Sequence, residues 1–246
     1  VNQVGVLDQQ GNVQTRGPVT TDEGGFRDSF NAALTSPWVS APGSGTVAVA
    51  NSVLSITGSL VANDRSYVSR PADFVPMVLN LALGQGGAGT PMTRGGTNVE
   101  VFFGLFHFDS AANPGMDPQH ATAQQAFIEW VFPTGAATTS NMRVRSANIT
   151  NGTEQTTGAT ITTTTAAGWR SIVVDGESAI FRDATTTLPT TSVRATLSRE
   201  LPGLYEELFV CVGVRNVGAP VAPAGVINVD AMFLKNLDRL VVNAAF

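Results

Sequence analysis

From about Phe30 onward the chain alternates between short runs of period-two apolar and polar residues and clusters of Gly, Pro, Asn and Ser. That is the pattern of strands separated by tight turns. Thr46-Val47-Ala48-Val49-Ala50 and Val53-Leu54-Ser55-Ile56-Thr57 flank Asn51-Ser52 and predict a hairpin. Trp169–Val174 and Ser178–Arg182 flank Asp175-Gly176, the strongest two-residue turn signal in the chain. Further strands are expected at Tyr67–Arg70, Phe74–Leu83, Asn98–Asp109, Ala126–Phe132, Met142–Ile149, Ala159–Thr165, Val193–Leu197, Leu204–Val214 and Val226–Val242. Asn98–Asp109 is the most apolar of them, and Ala126–Phe132 is its natural partner. Helix is expected only in short pieces such as Ala121–Gln125. Roughly ten to thirteen short strands at this spacing predict an antiparallel sandwich or barrel, not a βαβ fold.

Residues 1 to 30 differ from the rest. Val1–Thr21 has few large apolar groups and no aromatic residue, and it holds two turn-prone spots, Gln10-Gly11-Asn12 and Arg16-Gly17-Pro18. Such a segment buries too little surface to fold alone, so it is expected to be an extended arm laid on a neighbour. Residues 31–246 are expected to form one domain.

Composition sharpens the class. Hydrophobic residues make up 43% of the 246, enough for a large core, while charged residues make up only 13%, about half the usual ~25%. Thr and Ser supply the surface polarity, in runs such as Thr162–Thr165 and Thr185–Thr187, and β-branched Thr suits a pleated, half-wet face. Lys235 is the only lysine against thirteen arginines. That bias fits either a subunit covered by neighbours or a GC-rich coding source. A net charge of -5 without a basic tract argues against nucleic-acid binding. No apolar run reaches the ~18–20 residues of a membrane span. No signal peptide opens the chain, and Val1 is consistent with removal of an initiator Met. Cys211 lies in the apolar run Leu208–Val212, so it is expected in the core and no intrachain disulfide is available.

Three stretches carry a resemblance. Gly168-Trp169-Arg170-Ser171-Ile172-Val173-Val174-Asp175-Gly176-Glu177-Ser178-Ala179-Ile180-Phe181 resembles the central hairpin of concanavalin A-like (lectin/glucanase) jelly rolls. Gly225–Leu234 resembles the closing strand of the same folds, and Asp22–Phe30 is similar to a segment near the start of tailed-bacteriophage structural proteins. The resemblance implies an all-β antiparallel jelly-roll sandwich with an extended N-terminal arm. It further implies a non-enzymatic virion protein, assembled in the host cytoplasm as a homo-oligomer, with a trimer favoured. In that role it would be a capsid cement or decoration protein that binds the major capsid protein or other virion subunits through its arm. The alternative it implies is a tail fibre or receptor-binding protein that recognises host surface glycans.

The search for chemistry assigns no catalytic, cofactor-binding or metal residue, and no cofactor is implied. Glycanases on this fold place acids at alternate positions of one strand, as in Glu-x-Asp-x-x-Glu, so that all face the cleft. Here Glu129 stands alone on its strand, Glu100 is isolated, and the adjacent Glu206 and Glu207 would face opposite sides. A pair would have to be assembled from separate strands. The two histidines, His107 and His120, have no Gly-x-Ser-x-Gly partner motif for a serine triad. His107, Asp109, Asp117 and His120 could supply metal ligands only if their loops met. Gly84–Gly96 lacks the Lys-Ser/Thr of a phosphate loop, and the Asn148 and Asn151 sequons need a secretory context. For sugar binding the candidate platforms are the three tryptophans. Trp130 and Trp169 read as core, and Trp38 is the least committed.

Overall fold

The computed structural model describes residues 5–7, 13–15, 25–72, 77–83, 92–93, 95–107, 127–132, 140–147, 154–156, 161–163, 167–175, 177–184, 192–198, 201 and 208–236. The expected helix at Ala121–Gln125 lies outside them, as do Asp109, Asp117, His120, Glu206, Glu207 and both sequon asparagines.

The strands are β1 (Gly5–Leu7), β2 (Val13–Thr15), β3 (Phe26–Asp28), β4 (Val39–Ala41), β5 (Thr46–Ala50), β6 (Val53–Thr57), β7 (Arg65–Ala72), β8 (Met77–Leu83), β9 (Met92–Thr93) and β10 (Val99–His107). They continue with β11 (Phe127–Phe132), β12 (Ser140–Ala147), β13 (Glu154–Thr156), β14 (Ile161–Thr163), β15 (Gly168–Val174), β16 (Ala179–Ala184), β17 (Val193–Leu197), β18 (Leu208–Asn216) and β19 (Val226–Asn236). The all-β jelly-roll class is as expected. An eight-stranded sheet runs β13-β12-β11-β10-β18-β7-β4, with β14 also on β12. A nine-stranded sheet runs β17-β16-β15-β8-β19-β6-β5, with β3 and β9 also on β19. The pairings among described strands are antiparallel.

Both expected hairpins form. Asn51 and Ser52 adopt positive φ of 52° and 60°, the backbone twist that a two-residue turn between right-twisted strands requires. At the β15–β16 turn Asp175 accepts hydrogen bonds from the backbone N–H groups of Glu177 and Ser178. Among the described residues β1 and β2 pair with each other in a small two-stranded sheet. Further along the segment read as an arm, β3 is hydrogen-bonded into the nine-stranded sheet, and Phe26 and Phe30 are core residues. That stretch belongs to the sandwich.

The core lies between the sheets. From the eight-stranded sheet come Val101, Phe103 and Leu105 on β10, Ile128, Trp130 and Phe132 on β11, and Val210 and Val212 on β18. They meet Leu79 and Leu81 on β8, Ile172 on β15, Phe181 on β16 and Met232 on β19. Trp130 and Phe181 join the layers edge to face, with centroids 5.5 Å apart. Trp38, unassigned from sequence, is buried against Phe26 and Phe30, and its indole N–H donates to Asp28 Oδ2 at 2.8 Å.

The outer face of the eight-stranded sheet is buried too. Tyr67, Phe102, Phe106, Phe127, Val131 and Cys211 form a second apolar cluster there. This explains why β10, β11 and β18 read as nearly continuous apolar runs, as strands covered on both faces do. Cys211 is buried as expected, but in this outer cluster; burial pushes its thiol well above the ordinary value.

Asp64 ties the sandwich edge together, accepting from Ser44 N at 2.9 Å and from Ser59 Oγ. Burial pushes this carboxyl up, but the hydrogen bonds outweigh it and hold the pKa below the usual 3.8. A depressed native pKa means stability that is present above 3.8 and lost as pH falls through the lower native value. Asp64→Asn is therefore expected to lower the urea midpoint at pH 7, with the gap from wild type closing as the pH drops below about 4.

Candidate active site

The outer face of the eight-stranded sheet carries three ionisable groups in its centre. In the β10–β18 register Glu100 lies opposite Arg215, and in the β10–β11 register Glu129 lies opposite Gly104. Residues two apart on a strand share a face. Glu100, Phe102 and Gly104 therefore line up along β10, Phe127, Glu129 and Val131 along β11, and Cys211, Gly213 and Arg215 along β18. Arg215 reaches diagonally across Phe102, with its guanidinium carbon 4.8 Å from the ring centroid. It ends between the two carboxylates.

The grip is specific. Arg215 Nε donates to Glu100 Oε2 at 2.8 Å. Nη1 donates to Glu129 Oε2 at 3.0 Å and Nη2 to Glu129 Oε1 at 2.9 Å, a bidentate fork. Nη2 also lies 2.8 Å from Glu100 Oε2, so one nitrogen touches both carboxylates. The two oxygens that share this nitrogen are consequently no more than about 6 Å apart, which brings the carboxylates into the range of separations used by glycosidase acid pairs. Arg215 and Glu129 have no exposed surface, and Glu100 has 5%. Burial alone would push the guanidinium towards neutrality, but Glu129 and Glu100 reverse this and hold its proton well above the ordinary value.

Two glycine positions permit the packing. A Cβ on Gly104 would stand 2.1 Å from Ile128 O and 2.7 Å from the Glu129 Cα, and one on Gly213 would stand 2.6 Å from the Tyr67 Cβ. Only a residue without a side chain lets the neighbouring strands approach this closely at the level of the ion cluster.

The sequence-level expectations divide. Glu129 is the single acid on its face of β11, since Phe127 and Val131, the alternate positions, belong to the buried apolar cluster. The one-strand acid motif is absent, as expected. Two carboxylates from separate strands do meet: Glu100 and Glu129, each isolated along the sequence, both bond Arg215. A signal was present: Glu129 and Arg215 sit inside apolar runs of strands buried on both faces, where a charge must find a partner. His107 closes β10. Among the described residues no group of three or more His, Cys, Asp or Glu is placed to hold a metal ion. Trp130 is in the core as expected, whereas Trp169 is not. It is half-exposed on the outer face of the nine-stranded sheet, because the strand parity set by Ile172 and Val174 turns it outward.

No protein-family model matches the sequence, and no curated protein matches it. Solved structures do match the fold. The Crh5 transglycosylase in its apo form superposes with a TM-score of 0.59 at 12% identity, over 88% of this chain and 86% of that one. A Bacillus licheniformis β-glucanase gives 0.57 at 10% identity, over 87% and 99%. Rv0315, a pseudo β-1,3-glucanase of Mycobacterium tuberculosis, gives 0.51 at 12%, over 85% and 97%. At these identities the likeness establishes the fold: a jelly-roll sandwich of the concanavalin A-like, glucanase type. It also corrects the functional expectation. The non-enzymatic capsid cement protein, with its tail-fibre alternative, rested on short resemblances to phage proteins. The whole-chain likeness is instead to glucanases and transglycosylases, and nothing in it points to a virion.

Removing Arg215 should be costly, because it leaves two buried carboxylates uncompensated. Arg215→Met is expected to lose about 3–5 kcal/mol in urea unfolding. Glu100→Leu and Glu129→Leu added to it should recover much of that loss, since an apolar triad of similar volume leaves no charge behind.

Proposed function

We propose that this chain is a carbohydrate-active enzyme that cleaves or transfers glycosidic bonds by a retaining route, with Glu100 and Glu129 as its carboxylate pair. The observation that carries the reading is the placement of these two groups on one face of one sheet, close enough for both to bond Arg215 Nη2. A fold shared with glucanases and transglycosylases over nearly the whole chain supports it.

On this reading Glu129, held through both oxygens, is oriented to attack the anomeric carbon. Glu100 delivers a proton to the departing glycosidic oxygen, so that bond breaks as the glycosyl–Glu129 ester forms. Glu100 then takes a proton from the incoming water or sugar hydroxyl, and the ester is released with retention. Arg215 sets a condition on this cycle. While it bonds both carboxylates, no pyranose ring fits between them. Turnover therefore requires the guanidinium to swing clear of Glu100, and the closed ion cluster is the resting state.

The test is release and transfer of sugar from β-1,3-, β-1,4- and mixed-linkage glucans by the purified chain. Product formation is expected, with Glu129→Gln and Glu100→Gln each at least about 100-fold slower and still folded by circular dichroism. The reading fails if the wild-type chain forms no product from these polymers, or if Glu129→Gln matches it.

A further inference from the structure

On the opposite sheet a five-residue row crosses the outer face. Arg182 on β16 pairs with Ser171 on β15, Ser171 with Asn80 on β8, Asn80 with Phe233 on β19, and Phe233 with Arg27 on β3. All five face away from the core, since their strand neighbours Phe181, Ile172, Leu79, Met232 and Phe26 are core residues. Four inter-strand steps of about 4.8 Å put the terminal arginines about 19 Å apart, the span of a short oligosaccharide.

The middle of this row is unusual for a solvent-facing sheet. Trp169, in the next row, pairs with Ala82, which pairs in turn with Ala231. Over these small residues the indole lies across β8 and meets Phe233 edge-on, with centroids 5.7 Å apart. Both rings are half-buried and keep part of their surface open to solvent. Beside them Ser171 is 99% buried, and its Oγ has no hydrogen-bond partner among the described residues; the Nε of Arg182, its cross-strand neighbour, has none either. Buried polar atoms without partners are rare, and here two of them sit next to an aromatic pair that the core does not use.

Charge adds the selectivity. In a chain with a net charge of -5, Arg182, Arg27 and the exposed Lys235 gather on this face, while Asp230 sits at the β19 bulge. We propose that the outer face of the nine-stranded sheet is a binding surface for an acidic glycan, a chain of carboxylate-bearing pyranose rings. A ring packs on Trp169 and Phe233, and uronate groups meet Arg182 and Arg27, whose planar forks suit carboxylates. The surface lies on the other sheet from Glu100 and Glu129, so binding here is independent of turnover there.

The experiment is isothermal titration of the full chain with hexagalacturonate, with laminarihexaose as the neutral comparison. Hexagalacturonate is expected to bind, at least tenfold more tightly than laminarihexaose, and to weaken as salt rises. Trp169→Ala and Arg27→Ala should each weaken it about tenfold, with Glu129→Gln unchanged. Arg27 is exposed, so its variant reports on binding even if Trp169→Ala fails to fold. The proposal is overturned if hexagalacturonate does not bind, if laminarihexaose binds equally well without salt dependence, or if Arg27→Ala binds as wild type. Loss of binding in Glu129→Gln would likewise overturn it, by placing the glycan on the other sheet.

Discussion

A guanidinium without exposed surface needs opposite charge in contact and a donor geometry that leaves little unsatisfied. Arg215 meets that requirement by drawing together Glu100 from β10 and Glu129 from β11, and the eight-stranded sheet is arranged around the result. β10 lies between β11 and β18, and each of the three strands supplies one member. Gly104 has no side chain at the position facing Glu129, and the Phe102 ring lies beside the guanidinium. Phe106, Phe127, Val131, Cys211 and Tyr67 complete a dry surround in which the ion cluster is shielded from water. Low local dielectric makes such a cluster expensive to break and confers directionality on it.

Much of the fold was legible because its signals are local. The Asn51-Ser52 turn is set by backbone chirality, and β5 and β15 to β17 were located to within a residue or two from their turns and alternation. Sheet order was legible only in part: β11 was expected beside β10 and pairs with it, but the longer-range order was not. β10 pairs with β18, and β19 with β8, across stretches of chain that leave no mark in either strand. The candidate site suffered most from this, since Glu100, Glu129 and Arg215 converge only once the order is known. Trp169 was misplaced for another reason. Both parities of Trp169–Val174 contain apolar residues, and Arg170 falls on the inward one, so alternation alone did not say which way the indole points.

Function follows from the same distinction between local pattern and assembled geometry. Short resemblances led towards a particle-bound structural protein. The assembled sandwich instead matches glycan-processing folds, and it brings together two carboxylates that the chain keeps apart. On β11, Phe127-Ile128-Glu129-Trp130-Val131 carries a single acid, with its flanking outward positions given over to packing. The proposed chemistry rests on the cross-strand pair of Glu100 and Glu129.

The most direct measurement is peptide mapping after incubation with a mechanism-based 2-deoxy-2-fluoro-glucosyl oligosaccharide, which traps the glycosyl ester of a retaining enzyme. A single adduct on the peptide carrying Glu129, lost in Glu129→Gln, is the result this account requires. An unlabelled protein, or an adduct carried by a different acid, would contradict it.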